Sequence, residues 1–301
     1  MQGAGGDVSL LVGAGDALNG GNFITVAGET QSASRSGGSV VVTAGLGSST
    51  AMPMGAAGGS IVASGGESLG LNNLTDVGGD IVVVGGGSST AVGGSIRMIT
   101  GRSSGSSSGE VSLGSSDAGS LGESGKVLVS SGDASAGRSG RLELQTGDSW
   151  HGSGGGILLA AGTGEMGSGG GVIVGAGGTS SAEGRGGDLD FQGGTSQFGT
   201  GGSVIIASGV SNTTDSGAVV VRTVGSGSEG VSGGMQLITG GSFAGSSGQL
   251  ELVTGNSMQG AGGDISFVVG AGDSGDGGDT VMGAGHTSSG LGKGGDVVVS
   301  A

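Results

Sequence analysis

Apolar and polar residues alternate in short bursts along this chain, and each burst is followed by a stretch rich in Gly and Ser. Taking the glycine that opens each burst as position 0, position +2 is apolar in 18 of 19 bursts (Val8, Phe23, Val40, Ile61, Ile81 and onward), failing at Thr280. Position +4 is apolar in 18 of 19, failing at Thr25. Alternation with a period of two is the pattern of a β-strand with one buried face. The anchoring glycines run from Gly6 to Gly295 at spacings of 15 to 21 residues, 11 of the 18 being 15. A repeat of this length decides the architecture before any local motif does.

The other positions complete the unit. Position +6 is always Gly, Ala, Ser, Thr or Val, +7 is Gly in 16 of 18 units, and +9 is Gly, Ala, Ser or Thr in all 18. This predicts a strand over +1 to +6, a corner at the +7 glycine, a shorter extended segment over +8 to +11, and a second corner running into the next anchor. Positions +2, +4, +6 and +9 should then point inward. One such unit is too small to bury its own apolar residues, so a core would form only where neighbours stack. The expected fold is therefore all-β: a parallel β-solenoid of about 18–19 coils of ~15 residues, with a flat narrow core and no helices. At about 4.8 Å per stacked strand, 17 coils would rise roughly 82 Å.

A longer period overlies the short one. Residues 258–301 restate residues 1–44 without a gap, with 25 of 44 positions identical, so a 17-unit super-repeat of 257 residues restarts at Met258. Met1 aligns with Met258, and the chain is expected to be a window of a longer array, continued end to end either covalently or by further copies of itself. Two longer units place loop insertions near 46–57 and 67–77. The first carries Met52, Pro53 and Met54, the second Leu69, Leu71, Asn72, Asn73 and Leu74.

Composition changes this picture less than it first suggests. With 83 Gly in 301 residues and 11% charged residues, the average resembles a low-complexity disordered chain, but the periodicity argues for order. There is no Cys, hence no disulfide framework or thiol chemistry. No apolar run approaches the ~20 residues of a membrane span. The net charge of −15, with nine Lys plus Arg and 2% aromatic residues, disfavours nucleic acid as a partner, which needs a basic stripe and stacking rings.

Candidate chemistry is sparse. Position +3 should face outward, yet in eleven units it is Ile24, Val41, Val62, Val82, Leu128, Leu158, Ile173, Ile205, Val220, Val281 or Val298. An apolar strip of that length is more than a soluble monomer ordinarily exposes, and it predicts lateral packing against copies of the same chain. Trp150, Phe243 and Met258 occupy position +10, on the narrow second side. Asn73-Leu74-Thr75 and Asn212-Thr213-Thr214 fit the N-glycosylation acceptor pattern at expected surface positions, pointing to glycans and a secreted protein. Asp273, Asp276 and Asp279 lie three apart in a Gly-rich turn, a spacing with some likeness to calcium-binding β-roll turns; they are the one candidate metal site, for calcium. His151 and His286 stand at unrelated positions with no evident base or nucleophile beside them, so no enzyme is expected.

The recurring Ser/Gly-Gly-x-apolar-x-apolar-x-small-Gly-x-Ser texture resembles Gly/Ser-rich tandem-repeat proteins that build extracellular fibres, of algal surface or flagellar-hair type. The resemblance covers the whole chain and implies a structural role at the cell surface or outside the cell, with no transferable site residues. An adhesin stalk or tail fibre is the alternative. Ice binding is a second, although the regular outward Thr-x-Thr rank it would need is missing.

Overall fold

In the computed structural model of the chain, residues 6–15, 19–49, 56–70, 72 and 76–300 are described. The chain divides into two units, Met1–Gly147 and Asp148–Ala301. Each is built the same way.

One backbone hydrogen bond recurs at the anchors. The N–H of an anchoring glycine donates to the carbonyl of position +7 in the unit before it. In the first unit Gly38 bonds Gly28, Gly59 bonds Gly45, Gly79 bonds Gly66 and Gly94 bonds Gly86, at 2.7–2.8 Å; Gly21 bonds Gly13 and Gly109 bonds Gly101 at 3.3 and 3.1 Å. In the second unit Gly170 bonds Gly162, Gly187 bonds Gly177, Gly202 bonds Gly194, Gly217 bonds Gly209 and Gly295 bonds Gly285, at 2.8–2.9 Å. Each of these eleven corners is thus a closed loop whose two ends meet at a neck.

The tighter necks leave little room for a side chain at position 0, whereas at Gly187, Gly217 and Gly295 a Cβ would meet only ordinary contacts of 3.5 Å or more. A Cβ on Gly202 would stand 2.9 Å from the Gly194 nitrogen, and one on Gly170 would stand 3.2 Å from the Ala161 Cβ. The same contact explains the small residue at +6: Ala161 is a +6 side chain pressed against the following anchor. Ala27, Ala44, Thr100 and Thr146, all at +6, are among the least exposed of the described residues.

The hydroxyl at +9 holds the corner from inside, a common use of Ser and Thr in turns. In five of the eleven 15-residue units a serine there accepts the N–H of +12: Ser88 from Ala91, Ser103 from Ser106, Ser196 from Gly199, Ser211 from Thr214 and Ser242 from Gly245, at 2.8–3.1 Å. In the three 17-residue units the residue is threonine, and it accepts from +11: Thr30 from Ser32, Thr179 from Ser181 and Thr287 from Ser289, at 3.1–3.2 Å. Two of these longer corners add a backbone turn, Gly184 to Ser181 and Gly292 to Ser289.

The expected all-β solenoid is overturned. Among the described residues there is no strand and no helix, and no backbone ladder joins one unit to the next. The reason lies in where the corner returns. In a solenoid the chain would come back to lie over position 0 of the coil before; here it comes back to position +7. The anchor N–H is spent on that closure and cannot enter a ladder with a stacked neighbour. Consequently no rise per coil and no 82 Å axial period follow from this fold.

The expected core is overturned with it, since no described residue is buried. What survives is the two-sidedness of the extended segments. Position +2 is consistently less open than +3, as in Val204 at 54% against Ile205 at 85%, and Ile157 at 57% against Leu158 at 87%. Arg141 and Glu143, at +1 and +3 of one segment, form an ion pair of 2.9 Å, as side chains two apart on one face should. Both are exposed, so the pair adds little to stability.

The cost of this arrangement is surface. The chain exposes 29681 Å², whereas a compact protein of 27.5 kDa exposes about 11,000 Å².

Candidate self-association surface

Two apolar features present themselves to solvent. The first is the +3 rank. All eleven of its members are described, and their exposure runs from 69% for Leu128 to 97% for Ile173. Among the described residues no corner folds back to cover them. Because the +2 residue beside each is also half open, the extended segments offer apolar atoms on both faces.

The second is the set of corner tips. Bends fall at +10 to +12 of most units, and they lift the side chain at +10 or +11 clear of the neck. Trp150, Phe243 and Met258 at +10 are fully exposed, as are Met166 and Phe198 at +11. The serine cap beneath Phe198 and Phe243 fixes the bend that carries them. Spacing alone put Trp150, Phe243 and Met258 on a narrow side but did not show the hydroxyl that shapes the tip; a Ser or Thr three or two residues before the end of each bend was the available signal.

The remaining candidates are dispersed. Asp273, Asp276 and Asp279 are exposed, and Ser274 Oγ donates to Asp273 Oδ1 at 3.2 Å. Among the described residues no three His, Cys, Asp or Glu side chains come together as ligands for a metal ion, these three included. Asn212 is exposed on the bend over 212–214, where Ser211 caps Thr214. Asn73 lies outside the described residues, as do Met52, Pro53, Met54, Leu71 and Leu74, whereas Leu69 is exposed. His151 and His286 are exposed, and no cavity is present among the described residues to draw either into a cleft. No helix among them is long and apolar enough to cross a membrane.

Comparison of the chain with family models, curated proteins and solved structures finds no match.

Proposed function

We propose that the chain is a structural, non-enzymatic segment of an extracellular filament, associating side by side with copies of itself through the apolar +3 rank. The observation that carries this reading is the exposure of every member of that rank, at 69% or more, with no buried core among the described residues. Apolar surface of this extent is a driving force for association at about 25 cal/mol per Å² covered. A catalytic reading gains nothing from two exposed histidines outside any cleft. The Asn212 sequon, standing on an exposed bend, supports the extracellular setting.

The test is assembly of the purified chain, followed by sedimentation and electron microscopy as concentration rises. Filaments or bundles should form, and Val82→Lys with Val220→Lys should keep the chain in single copies, because each lysine places a charge in the covered strip. Assembly of the double variant at the wild-type concentration would remove the +3 rank from the explanation.

A further inference from the structure

We propose that the extended segment Gly140–Leu144 pairs antiparallel with the same segment of a second copy of this chain, about a two-fold axis through Leu142. The inference rests on the self-association proposed above and gives it a defined register.

The backbone of this segment is open to a partner. Among the described residues, the N–H and C=O groups of residues 140–145 make no hydrogen bond. Gly140 differs here from Gly202 and Gly217, whose N–H groups donate to the +7 glycine before them. A run of exposed, unpaired backbone groups in an extended chain is a template for another strand. Leu142 and Leu144, 55% and 66% exposed, would gain cover from it on the face opposite Arg141 and Glu143.

Charge then selects the occupant. Arg141 and Glu143 lie on one face, and their 2.9 Å ion pair is open to solvent. In an antiparallel pair centred on residue 142, position 141 of each strand stands directly across from position 143 of the other. Arginine then meets glutamate twice. Opposite charges directly across a strand pair stabilise it, and like charges destabilise it. Of the nineteen units, only this one carries opposite charges at +1 and +3. Asp188 and Asp190 hold the same two positions in the unit of Gly187; paired with its own copy that segment sets carboxylate against carboxylate, and paired with residues 140–144 it sets Asp188 against Glu143. Within this chain, therefore, only a second copy of the segment itself answers both of its charges. The contact is isologous, each strand giving the other the same surface. Two short strands alone are marginal in water, so this pairing sets the register of copies that the +3 rank gathers.

The chain has no Cys, so Leu142→Cys introduces its only thiol. Residues directly across an antiparallel pair have Cα atoms about 4.5–5.5 Å apart, within reach of a disulfide. Position 144 lies about 14 Å from its own counterpart across the same axis. Oxidation of the assembling chain with diamide should therefore link Leu142→Cys copies into dimers, read on a non-reducing gel, while Leu144→Cys copies stay unlinked. Added to Leu142→Cys, either Arg141→Glu or Glu143→Arg sets like charges across the axis and should slow linking about tenfold. Mixing those two variants should restore it, as should both substitutions in one chain. Assembly in which Leu142→Cys fails to link, links no faster than Leu144→Cys, or ignores the charge variants overturns the pairing and leaves the +3 rank intact. Linking of Leu142→Cys with the expected charge dependence but without larger assemblies supports the pairing and overturns the +3 rank. Neither assembly nor linking overturns both.

Discussion

Replacing Gly202 with alanine tests the closure on which the fold depends. The added Cβ would stand 2.9 Å from the Gly194 nitrogen and 3.6 Å from its oxygen, while the bond it must preserve, Gly202 N–H to the Gly194 carbonyl, spans 2.8 Å. Relieving the contact to an ordinary van der Waals distance moves the two strands of the neck apart by about 0.5 Å, close to the length at which such a bond fails. A backbone hydrogen bond of this kind is worth about 1 kcal/mol net. Alanine returns some 0.4–1 kcal/mol by restricting the unfolded chain, so overall stability should change little while the neck itself opens. Amide hydrogen exchange isolates the local effect: the amide of residue 202 should lose about fivefold in protection, the equivalent of 1 kcal/mol. Gly171→Ala, at a site where a Cβ meets nothing within 4 Å, should leave its neighbours unchanged or slightly slower to exchange. A wild-type Gly202 amide that already exchanges at the rate of a free chain, or one that keeps its protection in the alanine variant, would refute the closed neck.

Further outcomes follow from the same geometry. Ser211→Ala removes the acceptor for the Thr214 N–H and should speed exchange of that amide about twofold to fivefold, measured by NMR, with the Gly217 amide less affected because its own acceptor at Gly209 remains. Raising salt from 0.05 to 1 M should lower the concentration at which sedimentation detects assembly, since the screening length falls from over 10 Å to about 3 Å around a chain of charge −15. Expression through a eukaryotic secretory pathway should add a glycan whose enzymatic removal shifts the chain on a gel, and Asn212→Gln should abolish the part of that shift due to this site. Calcium should alter the Asp273 amide no more than magnesium does, because the three carboxylates of that turn do not converge.

The repeat and the identity of its special positions were legible in the sequence. Glycine at 0 and +7 marks the two ends of the neck, and the restriction of +6 to small residues corresponds to the contact between Ala161 and Gly170. What was not legible is which ends meet. Alternation at +2 and +4 reports that an extended segment has two unlike faces, and Val204 beside Ile205 still shows the difference. It does not report that the less open face is covered by a neighbouring strand, and that step produced the solenoid. A corner returning to +7 and a corner returning to 0 require the same glycines and the same small residues, so composition at those positions cannot separate them. The hydroxyls at +9 were visible only as small side chains; their role depends on an acceptor geometry at +11 or +12 that spacing does not express.

The corners differ in length while the neck does not. Closure spans 8 residues from Gly194 to Gly202, 10 from Gly177 to Gly187, 13 from Gly66 to Gly79 and 14 from Gly45 to Gly59, and the same N–H meets the same carbonyl each time at 2.8 Å. Loop-closure entropy makes this tolerable, since going from 8 to 14 residues costs only about 0.5 kcal/mol. The residue at +9 adjusts to the length, serine reaching +12 in corners of 8 and threonine reaching +11 in corners of 10. A fixed neck with an adjustable corner lets the residue at the tip vary from polar, as at Asn212, to bulky and apolar, as at Phe198, while the same closure is kept beneath it. The tip is therefore where one unit can be made to differ from the next: Trp150, Met166, Phe198, Phe243 and Met258 stand exposed on such bends within Asp148–Ala301, and Leu121 on one within Met1–Gly147. Moving the Phe243 side chain to a polar tip, by Asn212→Phe with Phe243→Asn, should accordingly keep the closure at Gly217 and the Ser242 cap intact, read as unchanged hydrogen exchange at the Gly217 and Gly245 amides; loss of protection at either would show that the tip residue shapes the chain beneath it.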